Sequence, residues 1–255
     1  MAEKWIGVVG GVGPFAGIDL LGKIAAETTA NQDQDHLTVL NWSQPAQIVD
    51  RTEYLLGQVA ENPAGALAAQ VMQLAKMGAG VVGIPCNTAH APRIFNQIRA
   101  ELAAAHCDVL LLHMIEEVGR FVQNNLPGVT KIGVLSTTGT YQAGVYVEVL
   151  EGLGFTAVLP PFPLQTEKIH PAIYDPVYGI KACGVATERA QANLQEGIAA
   201  LKTAGAEAII LGCTELPLAF TTPTAAGLPL IDPTRSLARA LIREANSAKL
   251  KEVIE

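Results

Sequence analysis

Apolar residues arrive along this chain in short runs, most of them bounded by glycine or proline and followed by a longer stretch with helical spacing. Trp5 to Val9 and Leu37 to Trp42 read as strands, with a helical stretch from Phe15 to Thr29 between them. Pro63 to Met77 is an Ala-rich helix leading into the strand Val81 to Ile84. Asn96 to Ala105 reads as a helix, Val109 to Leu112 as a strand and Glu116 to Asn124 as a helix. The order then starts again with the strand Ile132 to Leu135, the helix Gly144 to Leu153 and the strand Thr156 to Leu159. The helix Thr187 to Ala204 leads into the strand Ala208 to Leu211, and the tail adds a strand, Pro229 to Ile231, and a helix from Pro233 to about Ala248. Such alternation predicts mainly parallel sheets covered by helices. The stretch Pro160 to Gly184 carries five prolines, at 160, 161, 163, 171 and 176, and predicts a loop over a cleft.

The pattern is also a repeat. Leu74-Ala-Lys-Met-Gly78-Ala79, ending in Cys86, matches Leu201-Lys-Thr-Ala-Gly205-Ala206, ending in Cys213, at a displacement of 127 residues. Ile6-Gly7-Val8 and Gly13 match Ile132-Gly133-Val134 and Gly139 at a displacement of 126. The chain therefore reads as two similar α/β lobes with mainly parallel sheets flanked by helices, one formed by 1–115 plus 227–255 and the other by 116–226. Related by a pseudo-two-fold axis, such lobes would place the ligand crevice between the carboxyl ends of their strands. Cys86 and Cys213 each stand at such an end, and two thiols across a cleft suggest two-base proton transfer.

Composition narrows the choice of partner. With 255 residues, 49% of them apolar, the core is ample. A net charge of −7 without any Lys/Arg cluster argues against nucleic acid or an anionic membrane as partner. No apolar run approaches a membrane span, and no leader pattern precedes the first strand. The four cysteines, at 86, 107, 183 and 213, form neither a disulfide framework nor a zinc set, and a reducing cytoplasm is the expected setting.

Gly11-x-Gly13-x-x-Ala16 imitates a dinucleotide fingerprint, but the next strand ends Leu40-Asn41-Trp42 without the acid that would hold a ribose. Amides at Gly13, just before Pro14, suit a small anion such as a carboxylate. Ser136-Thr137-Thr138-Gly139-Thr140 offers hydroxyls that either cap a helix or touch substrate. Cys86-Asn87-Thr88-Ala89-His90 and Cys213-Thr214-Glu215 each follow a strand. If each opens a helix, its amides and dipole would favour thiolate. Cys107 and Cys183, without such a repeat, read as buried apolar thiols, and His90 and His113 as capping or core residues. Arg51 is either a bidentate carboxylate ligand or a solvated helix-start residue, and Lys181 has the same two readings.

Gly10-Gly11-Val12-Gly13-Pro14, Asp50-Arg51-Thr52, the two cysteine motifs, Gly139-Thr140 and Ile180-Lys181-Ala182 together resemble the aspartate/glutamate racemase family, most closely its aspartate racemase branch. The resemblance spans nearly the whole chain, departing at Val12 and Cys183. It implies a cofactor-independent amino-acid racemase of two similar α/β lobes, commonly a homodimer, with Cys86 and Cys213 as the acid/base pair. It further implies that Asn87, Thr88, Thr137, Thr140 and Thr214 hold the amino and α-carboxylate groups, and that Arg51 and Lys181 recognise the second carboxylate. Glu215 marks the branch, since glutamate-only racemases resemble a pattern with His there. Other classes fit less well. A single-thiol decarboxylase or cis-trans isomerase of small dicarboxylates needs one cysteine, a binding protein would not need both, and redox pairs usually sit close in sequence.

Overall fold

A computed structural model describes residues 3–253. The chain forms two compact units: residues up to Glu117 together with those from Thr234, and Val118–Pro233.

The first unit opens with β1 (Trp5–Gly10), α1 (Pro14–Glu27), β2 (Val39–Ser43), α2 (Arg51–Leu55), α3 (Ala64–Lys76) and β3 (Ala79–Gly83). It continues with α4 (Pro92–Ala104), β4 (Leu110–Leu111) and the start of α5 (Met114–Asn125). Its four strands are all parallel, in the order β2-β1-β3-β4. Alternation along β1 sends Ile6 and Val8 to a core with Leu20, Ile24, Leu237 and Leu241, and Val9 to a second core with Leu67, Val71, Ile94 and Phe95. Pro14 and Pro92 occupy first-turn positions of their helices, where no N–H is needed, so α4 starts earlier than its apolar spacing predicts. Gly11 turns the chain with φ +81, and a Cβ there would lie 2.8 Å from the Pro45 nitrogen, so only glycine fits.

The second unit contains β5 (Lys131–Ser136), α6 (Thr138–Ala143), α7 (Val145–Gly152), β6 (Thr156–Val158), α8 (Phe162–Leu164), α9 (His170–Tyr174) and α10 (Ile180–Cys183). α11 (Glu188–Thr203), β7 (Ala208–Gly212), β8 (Thr224–Ala225) and β9 (Leu228–Ile231) follow, and α12 (Pro233–Asn246) leads back into the first unit. The strand order is β6-β5-β7-β9-β8, with only β8 antiparallel. Removing β8 leaves the order of the first sheet, with β5 in the place of β1 and β7 in the place of β3. The internal repeat thus appears as repeated topology.

Two expectations change. The stretch Pro160 to Gly184 is helical rather than a loop: α8, a π turn over Gln165–Ile169 and α9 run on without a break, and α10 follows. Pro163 and Pro171 fall in first turns, and the widened turn just before Pro171 accommodates its missing N–H. The return to the first unit falls at Thr234 rather than 227, because β9 pairs with β7 through Ile209↔Leu230 and Ile210↔Ile231.

Candidate active site

In the first unit the residues singled out from the sequence gather at the carboxyl ends of β1, β2 and β3. Val12, Ile48, Ile84, Cys86 and Ala89 share one buried cluster, which ties the loop carrying Gly13 to those carrying Arg51 and Cys86. Gly13 caps α1 with φ +95 and presents the amide end of that helix. Asp50 accepts from the backbone N–H groups of Thr52 and Glu53 at 2.8 and 3.0 Å, fixing the start of α2. Arg51 is buried rather than solvated, and its Nη1 donates to the Val49 carbonyl at 3.3 Å. Asn87 and Thr88 are buried beside Cys86.

His90 braces this thiol from behind. Its Nδ1 donates to the Cys86 carbonyl at 2.8 Å, and its ring lies 5.0 Å from Phe95 and 4.8 Å from His113. Complete burial, with His113 adding to it, lowers its pKa to about 3, so the ring is neutral and holds the loop without acting as a base. His113 is also pushed down by burial, and its Nδ1 accepts from the Glu116 N–H at the start of α5.

The second unit builds a denser arrangement. Ser136 pairs in register with Gly212, so the turns following β5 and β7 are neighbours. Thr137 caps α6, its Oγ1 accepting from the Thr140 N–H at 3.3 Å and donating to the Thr140 Oγ1 at 3.2 Å. Cys213 Sγ donates to Glu215 Oε2 at 2.9 Å, and Thr214 Oγ1 donates to the same oxygen at 3.1 Å. Lys181 Nζ donates to Glu215 Oε1 at 2.5 Å and stands 5.2 Å from the Tyr174 ring centroid. Lys181 is therefore ion-paired rather than solvated, and a substrate carboxylate would compete with Glu215 for it.

Electrostatics overturn one expectation. Neither thiol opens an α-helix; short 3-10 turns, Thr88–His90 and Leu216–Ala219, follow them, and these carry little dipole. Burial first, then the Glu215 carboxylate, push the Cys213 thiol well up, against the opposing pull of Lys181. Burial works against the Glu215 charge, but Lys181 and the surrounding hydrogen bonds hold its carboxyl below the usual range. Lys181 is likewise held charged, well above the lysine range, by Glu215 in spite of burial.

The two thiols share one local geometry. Each Cys N–H donates to the carbonyl two residues back, Cys86 to Ile84 at 2.8 Å and Cys213 to Leu211 at 2.8 Å. Each Cys carbonyl then accepts from three residues on, from Ala89 at 3.2 Å and from Leu216 at 3.0 Å. Both side chains are nearly buried, at 7% and 6% exposure. All four cysteines are free; Cys107 is half-buried, and Cys183 is exposed, where a buried thiol was expected. Sequence reading missed Gln165, buried and donating to the Ser136 carbonyl at 2.9 Å, and Tyr146, fully buried against Gly212. Gln165 and Tyr174 lie in the proline-rich segment, whose spacing gave no sign of a helix.

A cavity of about 610 Å³ lies at the other end of the first sheet, beside the amino ends of β3 and β4, and is lined by Lys76, His106, Cys107 and Asp108 among others. Among the described residues no cluster of His, Cys, Asp or Glu is suited to a metal ion, and no helix is long and apolar enough to cross a membrane.

Each of the two α/β units sets a nearly buried thiol just past a central strand of its sheet. The chain belongs to the Asp/Glu/hydantoin racemase family, whose model matches residues 9–241, and it is accordingly an isomerase of the racemase class. An aspartate racemase from Picrophilus torridus is 27% identical with a TM-score of 0.78, the match covering 97% of this chain and 96% of that one. An aspartate racemase homologue from Pyrococcus horikoshii OT3 is 24% identical with a TM-score of 0.73, covering 95% and 99%. A glutamate racemase from Francisella tularensis, solved in complex with D-glutamate, shares the fold at 17% identity and a TM-score of 0.68, covering 100% and 86%.

Proposed function

We propose that this protein interconverts L- and D-aspartate without a cofactor, with Cys86 and Cys213 as the acid/base pair. The observation that carries the reading is the repeated thiol turn, made twice by one chain with the same backbone hydrogen bonds. Inverting a stereocentre requires a proton to leave one face of Cα and another to arrive on the opposite face. One fixed base cannot do both; one thiol for each face can, a thiolate removing the proton while a thiol supplies one. The carbanion needs donors converging on the α-carboxylate in a water-poor site. Gly13, Asn87 and Thr88 in the first unit, and Thr137, Thr140 and Thr214 in the second, are the groups we assign to that task.

Aspartate is favoured because the likeness to the Picrophilus aspartate racemase runs over nearly the whole chain and because Arg51 and Lys181 offer charge to a second carboxylate. Glu215 beside Cys213 fits the same branch. The test is chiral chromatography of L-aspartate, L-glutamate, L-alanine, L-serine and L-asparagine incubated with the purified protein. Two charge-assisted contacts predict aspartate turnover about a hundredfold above that of the neutral amino acids. Equal rates would remove the role of both cations, and no racemisation of any of them would remove the function.

A further inference from the structure

We propose that Glu215 is a positioning residue that governs the proton on Cys213, with Lys181 as its counter-ion, so that the resting enzyme carries a thiol there and Cys213 serves first as the proton donor. This rests on the reading of Cys213 as an acid/base group and adds a direction to it.

The geometry is a line of three groups. One carboxylate oxygen of Glu215 takes the Cys213 S–H at 2.9 Å, and the other takes Lys181 Nζ at 2.5 Å. A carboxylate that accepts from a thiol stabilises the protonated sulfur and repels the thiolate. Lys181 acts in the opposite sense on the sulfur, but its nearest partner is Glu215, which absorbs much of its charge. Thr214 Oγ1 donates to the oxygen that faces the sulfur and fixes the carboxylate in place.

Other titratable groups near the thiol do not compete for this role. Tyr146 stays a neutral phenol, its pKa raised by burial and by Cys213 and Asp232. Tyr174 meets Lys181 with its ring face. His170 accepts from the Thr138 N–H and is turned to α6. In the first unit's repeat Asn87 and Thr88 follow Cys86 where Thr214 and Glu215 follow Cys213, so the position equivalent to Glu215 holds no carboxylate. The two thiols are thus alike in backbone and unlike in the side chains that follow them.

The test is the pH dependence of iodoacetamide alkylation at Cys213, followed by mass spectrometry of its peptide in the full chain. Wild type, Glu215→Gln, Glu215→Asp and Lys181→Met are compared, with the Cys86 peptide as internal reference. Using the pH midpoint rather than the absolute rate separates protonation from access. Glu215→Gln should lower the Cys213 midpoint by about one pH unit and speed alkylation near neutral pH about tenfold. Lys181→Met should raise the midpoint and slow the reaction, and Glu215→Asp, which keeps the charge, should hold the midpoint high. Midpoints unchanged in both Glu215→Gln and Lys181→Met, or moving in the same direction, would overturn the proposal. If Glu215→Gln fails to fold, rapid alkylation of every cysteine will show it, and the signs for Lys181→Met and Glu215→Asp then decide. Expected shifts in a protein that racemises nothing would keep the Glu215 assignment and sink the racemase reading. Racemisation with unmoved midpoints would do the reverse.

Discussion

At Gly212, the residue before Cys213, the backbone has no room for a side chain. A Cβ would stand 2.8 Å from the Leu135 carbonyl oxygen and 3.0 Å from Tyr146 Cε2, and a main-chain oxygen in a parallel sheet cannot move aside. Gly212→Ala should therefore cost about 2–3 kcal/mol of stability by overpacking, read as a lower urea midpoint. A change within about 0.5 kcal/mol would show that the turn yields, as a neutral surface site would. The two thiols and Gly13 stood out in the sequence because the repeat marks them. The carboxylate–lysine pair at Cys213 did not, since Lys181 and Glu215 lie 34 residues apart along the chain and meet only in the folded structure. A reading built on helix dipoles gave Cys213 the wrong direction of shift for the same reason: burial and a neighbouring carboxylate are tertiary facts.

At the scale of elements, α12 crosses back to pack on the first sheet and is fastened to α1 by Glu27. Its carboxylate accepts from Arg235 Nε at 2.5 Å and from Arg239 Nη1, linking residues over two hundred positions apart. Burial opposes its charge, but the two arginines hold its carboxyl below the usual value of 4.5. Glu27→Gln should cost about 1–2 kcal/mol, discounted for the exposure of Arg235. Because the folded pKa is the lower one, the contribution is present in full above the unfolded carboxylate value and is lost as pH falls through the folded one. Urea unfolding at pH 7 and pH 3 should therefore show a gap between wild type and variant that narrows in acid. A gap that is constant with pH would mean the loss comes from packing alone. Most elements were legible because strand and helix periods differ and Pro and Gly mark their ends. The 160–184 segment was not, since Pro163 and Pro171 sit in first turns, where they start helices rather than break them, and sequence alone does not distinguish the two.

For the whole molecule, the repeat links sequence, topology and chemistry. Equivalent strands in equivalent order bring two cysteines to equivalent turns, and the proposed function assigns that pair the two proton transfers of racemisation. The two units were legible as a repeat, while the crossing point was not. The tail strand β9 shows no preference in its sequence for one sheet over the other, and its pairing with β7 is what assigns it. The most direct test of the account is racemisation of L-aspartate in heavy water by wild type, Cys86→Ser and Cys213→Ser, with product chirality and Cα deuterium read by chiral chromatography and mass spectrometry. The account predicts D-aspartate carrying deuterium at Cα from wild type, because thiol protons exchange with solvent. It also predicts a loss of racemisation of at least about a thousandfold in each serine variant, a hydroxyl being far too weak a base. Near-normal racemisation by either variant would contradict it.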